Sequence, residues 1–146
     1  MHPLQFVVPI GALEAVEPYI AHIAFVAVLV NMFTRQRAHQ SYVEQVDQGA
    51  ETLSRYTPHT VTSVLLVLSS FGYLFLRPHG GMVLTVLVVG LFLSDFFEFE
   101  SRQVEARNGM DLERPKSSLV ASGVVFLYAA FQSVFFVVQP VWNAIV

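Results

Sequence analysis

LVASGVVFLYAAFQSVFFVV, residues 119–138, indicates the fold most directly, because it contains twenty residues and no charged side chain. At about 1.5 Å per residue, a helix of this length covers the roughly 30 Å hydrocarbon core of a bilayer. An apolar run this long is typical of a transmembrane helix rather than of a helix in a soluble core. It predicts one membrane span over residues 118–139.

Three further apolar runs predict spans at residues 18–34, 59–77 and 80–99. The first is the weakest, because His22 and Asn31 interrupt it. Only 13% of the residues are charged, whereas soluble domains carry about 25%. The composition therefore agrees with a chain that lies mostly in lipid.

Four spans use most of the 146 residues, so we expect one membrane domain over residues 1–146. The fold class is all-α: a polytopic membrane protein with four transmembrane helices in a small bundle. A short interfacial segment over residues 4–17, with Pro9, Gly11 and two acidic residues, is expected to precede the bundle.

The basic residues predict the orientation of the chain. Seven of the eight Lys and Arg residues lie in segments 35–58 and 100–117, and only Arg77 lies elsewhere. Basic residues next to membrane spans are retained on the cytoplasmic side. We therefore expect a multi-pass plasma-membrane protein with both of these segments in the cytoplasm and both termini outside.

The first cytoplasmic segment carries an apolar stripe at Val43, Val46, Ala50, Leu53 and Tyr56. Spacings of three or four residues place these side chains on one face of a helix. The pattern predicts an amphipathic helical face that lies on the membrane surface or on a partner.

Asp95 and Glu98 are the candidate ionisable groups within the spans. They stand three residues apart and share a helical face, and Arg102 follows Glu98 by four residues. Ionisable residues inside a membrane often mark ion pathways. A structural role is favoured here, because both acids lie near a helix end and Glu98 can pair with Arg102. Asn31 lies at a similar depth and is a candidate partner for Asp95.

Gln132 and His22 are the other intramembrane polar candidates. Gln132 is the deepest polar residue of the fourth span and predicts a hydrogen bond between helices, with a substrate contact as the alternative. His22 with His79 would be the nearest pair of haem ligands. Because no span contains an HxxxH pair, we expect neither haem nor metal, and His22 is interpreted as an interfacial histidine with one hydrogen-bond partner.

Signatures of catalysis are missing from the sequence. It contains no HExxH, GxSxG, P-loop or Gly-rich dinucleotide motif. Cysteine is absent, which excludes disulfides, thiolate catalysis and Cys-based metal sites. The cytoplasmic segments are mixed in sign, so no nucleic-acid partner is implied. We expect no catalytic residues, no cofactor and no enzyme.

A family resemblance is carried mainly by three segments of the sequence. They are EPYIAHIAFVAVLVNMFTR (residues 17–35), RPHGGMVL (77–84) and SDFFEFESRQVEARNG (94–109). Together with the rest of the chain they resemble a family of small four-helix membrane proteins of haloarchaea that has no assigned activity. The resemblance implies a haloarchaeal plasma membrane and transfers no functional residue. The preference for Arg over Lys, seven against one, agrees with it.

Three functional hypotheses follow from these observations. The first is a non-enzymatic accessory, structural or assembly subunit of a larger membrane complex, whose partners are the lipid bilayer and other subunits or further copies of the chain. The second is a small oligomeric proton or cation channel or transporter that uses Asp95 and Glu98. The third, and most remote, is a b-type haem protein.

Overall fold

The computed structural model describes residues 10–145, and helices are the only regular secondary structure in this part of the chain. Residues 1–9, which include the first part of the predicted interfacial segment, lie outside the described residues, as does residue 146. A short helix and a 3-10 turn over Glu17–Tyr19 precede four long helices. The helices are α1 (Ile10–Val16), α2 (Ile20–Asp47), α3 (Thr57–Leu76), α4 (Pro78–Arg107) and α5 (Lys116–Ile145).

Proline or glycine lies at at least four of the eight boundaries of the long helices. Pro58 and Pro78 lie in the first turns of α3 and α4, where the missing N–H is not needed for a helical hydrogen bond. Gly49 and Gly109 follow the ends of α2 and α4 with φ values of 89° and 68°. Such positive φ angles favour glycine and stop a right-handed helix.

The reversal between α3 and α4 is tighter than the sequence indicated. Only Arg77 lies between the two helices, and the glycines of RPHGG belong to the first turn of α4. A Cβ atom on Gly81 would lie 2.5 Å from the backbone nitrogen of Leu74 and 2.7 Å from the carbonyl carbon of Tyr73. Gly81 therefore allows α4 to approach the α3 backbone closely.

The four long helices form a ring in which each packs on two neighbours. α2 and α4 each contact α3 and α5, so α2 lies across the bundle from α4. The interior is filled by aliphatic and small side chains that are at most 4% exposed. Its main members are Ile20, Ala21, Ala24, Val28, Leu66, Leu84, Val88, Leu91, Val125 and Ala129.

The outer surface of the bundle is strongly apolar. All four helices are long and apolar enough to cross a membrane, and the first candidate span, Glu14–Asp47, includes the turns that precede α2. Only 22 to 28% of the residues in each apolar window are buried in the bundle. Most of the apolar side chains therefore face outward, which agrees with a multi-pass membrane protein.

The predicted amphipathic stripe does not form a free helical face. The helix ends at Asp47, and residues 50–56 return along α4 without helical structure. Leu53 is 3% exposed and packs with Phe99 and Ala106, with Val46 beside them. The apolar residues of this segment thus serve as a second small core, because Gly49 turns the chain back onto α4.

Candidate functional site

The two ends of the bundle differ in charge. At the hairpin end, α3 turns into α4 at Arg77, which pairs with Glu17 at 3.4 Å. At the basic end, α2 and α4 finish, α3 and α5 begin, and the loops 48–56 and 108–115 connect them. The seven remaining Lys and Arg residues lie in the segments that form the basic end.

Arg35 and Asp95 form a two-pronged ion pair inside the basic end. Arg35 Nε donates to Asp95 Oδ1 at 2.9 Å, and Nη2 donates to Oδ2 at 2.7 Å. The two side chains are 4% and 16% exposed. Parallel N–H bonds to both carboxylate oxygens fix distance and orientation together. The pair therefore ties α2 to α4 across the bundle.

Asn31 completes the environment of Arg35, and it lies one helical turn before it. Its Oδ1 accepts a hydrogen bond from Arg35 Nη2 at 2.7 Å. Its Nδ2 donates to Thr62 Oγ1 at 3.1 Å and to Ser63 Oγ at 3.0 Å. Asn31 and Asp95, paired in the sequence interpretation, are thus linked through Arg35 instead of bonding directly.

His59 connects the same group to α3. Its Nε2 lies 3.2 Å from Asp95 Oδ2, and its Nδ1 lies 2.9 Å from the Thr34 hydroxyl. A carboxylate only accepts hydrogen bonds, so Nε2 carries a proton. We call this set the polar network; its members are Asn31, Thr34, Arg35, His59, Thr62, Ser63 and Asp95.

Glu98 belongs to a separate cluster. Its carboxylate pairs with Arg102 at 3.6 Å, as the sequence spacing indicated. It also accepts the backbone N–H of Ser117 at 3.1 Å and the Ser117 hydroxyl. A carboxylate at the start of a helix satisfies free N–H groups and interacts favourably with the helix dipole. Glu98 therefore caps α5, and sequence spacing alone gave no signal of that contact.

A cavity of about 260 Å³ opens at the basic end between these two clusters. We call it the basic-end cavity. Its polar lining includes Asp95 and Glu98 together with cationic and imidazole side chains, and its apolar wall is largely aromatic. The principal lining residues are Arg35, His39, Tyr42, Arg55, His59, Phe92, Asp95, Phe96, Glu98, Phe99 and Arg102.

One donor of the polar network has no partner among the described residues. Arg35 is 3% exposed, and its Nη1 has no hydrogen-bond acceptor among the described residues. Leaving a buried polar group unsatisfied costs about 1–3 kcal/mol, and more for a charged group. The polar network is therefore completed at Nε and Nη2 but lacks an acceptor at Nη1.

His39 at the mouth of the cavity lies near Arg102, Arg114 and Glu105. Burial lowers the pKa of His39 below its usual value, and the nearby Arg102 and Arg114 lower it further. The imidazole is accordingly neutral at pH 7. Arg55 lies with its guanidinium 4.1 Å from the Phe99 ring centroid, and Glu100 is 4.0 Å from it.

The other two sequence candidates lie away from this site. Gln132 Oε1 accepts a hydrogen bond from the Tyr73 hydroxyl at 2.7 Å, and its Nε2 donates to Tyr128 at 3.1 Å. The bond to Tyr73 joins α5 to α3 near the hairpin end, and the bond to Tyr128 lies within α5. His22 Nδ1 lies 2.5 Å from the Ser133 hydroxyl and links α2 to α5.

Only one of the two histidines suggested as haem ligands lines the cavity at the hairpin end. A cavity of about 370 Å³ at the hairpin end is lined by His79 and Gln132, but His22 is not among its lining residues. No cluster of three or more His, Asp or Glu residues suited to a metal ion occurs within residues 10–145.

The sequence analysis did not identify the contacts of Arg35 and His59 with Asp95. Arg35 was interpreted as a marker of orientation, and His59 as a residue of the inner side. The signal that could have indicated these contacts was the depth of the residues in the membrane. Asn31 and Arg35 lie one turn apart near the basic end of the first span, and Asp95 and His59 lie near the same end of the third and second spans. Which of these side chains meet depends on helix rotation, which spacing does not define.

Comparison with known proteins identifies a family but no activity. No curated protein and no solved structure matches the chain. The model of one family, described as "Domain of unknown function (DUF7313)", matches residues 2–146. Because that match covers nearly the whole sequence, the chain belongs to this family of unknown function.

Proposed function

We propose that the protein crosses the plasma membrane of a halophilic archaeon four times, with the basic end in the cytoplasm and both termini outside. Four helices of sufficient length and the outward-facing apolar side chains support the membrane location. Seven of eight basic residues at one end support the orientation. The resemblance and the excess of Arg support the source.

Within that membrane the protein is a non-enzymatic accessory, structural or assembly subunit of a larger complex. The observation that carries this proposal is the C-terminal part of α5. α5 has 30 residues, about 45 Å at 1.5 Å per residue, whereas the hydrocarbon core is about 30 Å thick. Every side chain from Val137 to Ile145 is exposed, including Val141, Trp142 and Ile145.

Such an apolar helix end needs a covering surface that this chain does not provide in residues 10–145. Val141 is 57% exposed, Trp142 63% and Ile145 77%. Large exposed apolar patches are typical of interaction sites, and aromatic residues often anchor them. The stripe at Val43 to Tyr56 no longer supports a partner, since Leu53 and Val46 pack within the chain. The partner contact is therefore assigned to α5.

Photo-crosslinking in native membranes tests this proposal. A photoreactive amino acid at Trp142 is expected to capture another membrane protein, which mass spectrometry of the affinity-purified product identifies. The matched control is Val86, which is 67% exposed on α4 and is expected to face lipid. Recovery of the chain alone in mild detergent, with lipid adducts only at both positions, would contradict the accessory role. A crosslink between two copies would instead favour the second candidate.

The second candidate is an oligomeric proton or cation channel or transporter. One observation favours it, namely that Asp95 and Glu98 line the same cavity at the basic end. Two other observations argue against the conduction of ions through a single copy of the chain. The space beside Asp95, Val88 and Leu91 is too small for a water molecule, and the interior beyond it is apolar. Ion flux into reconstituted vesicles that is unchanged by Asp95→Asn would remove this acid from any transport mechanism.

A further inference from the structure

The basic-end cavity has the buried Arg35 guanidinium beneath it and the half-exposed Arg55 guanidinium at its mouth. We propose that it binds an anionic phosphate group. Arg35 lies beneath the site, and Arg55, Arg102 and the neutral His39 lie around it. The proposal goes beyond an accessory role and does not depend on it, because the site lies within a single copy of the chain.

Arg55 is the lining cation that remains available to an anion, because Arg35 is paired with Asp95 and Arg102 with Glu98 and Glu105. The two carboxylates of the lining are already held: Asp95 by Arg35 and His59, and Glu98 by Arg102 and Ser117. Arg55 has only a distant carboxylate, Glu100 at 4.0 Å, and both of these side chains are about half exposed. A surface contact of this kind contributes little and leaves the Arg55 guanidinium available.

The Arg35 guanidinium beneath the cavity supplies the second observation. Its Nε and Nη2 are fully used and its Nη1 is buried without an acceptor in the described part of the chain, so a ligand in the cavity would interact with Arg35 through its charge rather than through a hydrogen bond. Guanidinium groups match phosphate oxygens in both charge and geometry.

The shape and walls of the cavity restrict the size of the ligand. Its volume of about 260 Å³ is near the lower limit of small-molecule sites, roughly 300 Å³, so a headgroup or free phosphate fits and a whole lipid does not. Phe92, Phe96 and Phe99 form an apolar wall beside the cations. That wall suits the glycerol and first acyl carbons of a phospholipid, and basic pockets between helices at the cytoplasmic side bind such headgroups.

Binding to the full-length protein in a neutral detergent tests the proposal. Three additions are compared: dioleoylphosphatidylglycerol, zwitterionic dioleoylphosphatidylcholine and inorganic phosphate. Native mass spectrometry counts bound molecules, and the midpoint of thermal unfolding reports stabilisation. Arg55→Gln is the test variant and Arg37→Gln the matched control. Arg37 is also exposed at the basic end and lies over an aromatic ring, Phe33 at 5.4 Å, but it does not line the cavity.

The expected result is one bound phosphatidylglycerol or phosphate per chain, with affinity reduced about tenfold or more by Arg55→Gln and unchanged by Arg37→Gln. Binding of phosphatidylglycerol alone assigns the site to a lipid headgroup, and binding of inorganic phosphate assigns it to a free anion. The proposal is overturned if neither anion binds above the phosphatidylcholine level. It is also overturned if the two Arg variants weaken binding equally, since that result means non-specific attraction to the basic end.

Discussion

Arg35 and Asp95 join two helices that lie across the bundle from each other, with N–O distances of 2.9 and 2.7 Å. Most contacts in the fold are between neighbours in the ring, so this pair is a rare diagonal connection. It is placed at the basic end, where α2 and α4 continue for several turns beyond the apolar core.

Removing the charge of Asp95 is expected to destabilise the bundle. Asp95→Asn leaves the Arg35 guanidinium buried without a counter-charge, and breaking a buried ion pair costs about 3–5 kcal/mol. The free energy of unfolding in mixed micelles, titrated with dodecyl sulfate, measures the effect. Glu100→Gln is the control. The Glu100 side chain is 56% exposed and its ion pair with Arg55 is as long as 4.0 Å, so the expected change in the free energy of unfolding is about 0–1 kcal/mol. Equal effects of the two variants would show that the Arg35 pair is not a stabilising contact.

Replacing both Arg35 and Asp95 with apolar residues is expected to restore much of the stability that a single replacement removes. In Arg35→Met with Asp95→Leu, no buried charge is left unpaired, so the double variant should be more stable than either single variant. The same titration measures the coupling. A double variant that is as unstable as the sum of the single variants would mean that the two residues act independently.

Two glycines of α4 should respond oppositely to alanine. Gly81→Ala forces a Cβ into the Leu74 and Tyr73 backbone of α3 and is expected to cost at least about 1–3 kcal/mol. Gly90→Ala places the same methyl group in open space and should be neutral or stabilising by up to about 1 kcal/mol. Thermal unfolding of both variants provides the comparison. A tolerated Gly81→Ala would disprove the close approach of α3 and α4.

Gln103 holds the loop between α2 and α3 by two backbone contacts. Its Oε1 accepts the Leu53 N–H at 2.8 Å, and its Nε2 donates to the Leu53 carbonyl at 2.8 Å. In Gln103→Ala, amide hydrogen exchange at Leu53 should accelerate about tenfold or more, because each bond contributes on the order of 1 kcal/mol. Gln40→Ala, at an exposed position of α2, should leave that exchange rate unchanged.

The absence of cysteine makes the proposed orientation easy to measure. Asn143→Cys should react with a membrane-impermeant maleimide on intact cells, because the C-terminus is proposed to face outward. Gln48→Cys should react only after lysis, because the loop that follows α2 is proposed to be cytoplasmic. Both positions are exposed, so a difference in labelling reports sidedness. The opposite pattern would reverse the topology.

The sequence predicted the number and approximate position of the long helices. Apolar run length is a local property, and residues such as Pro58, Pro78 and Gly109 act on the backbone where they stand. The spacing of Glu98 and Arg102 likewise gave a correct ion pair, because residues four apart in a helix lie on one face. In both cases the cause and its effect lie within a few residues of each other.

Helical periodicity gave a wrong prediction for the segment that follows the end of α2. The stripe from Val43 to Tyr56 has helical spacing, yet the helix stops at Asp47 and Leu53 packs on Phe99. The prediction that this stripe lies on the membrane surface or on a partner is wrong, because Leu53 and Val46 pack against Phe99 and Ala106. Their covering surface was a distant helix of the same chain, which their own spacing could not indicate.

The sequence alone determined that this is an all-helical chain with four long apolar segments and seven of its eight basic residues at one end, because hydropathy, charge and turn residues act locally. The tertiary structure alone decided that Arg35 meets Asp95, that Glu98 caps α5, and that a cavity opens between them. Those contacts depend on how far each helix is rotated and shifted against its neighbours. Rotation and shift are set by the packing of the whole interior, to which residues more than fifty positions apart contribute.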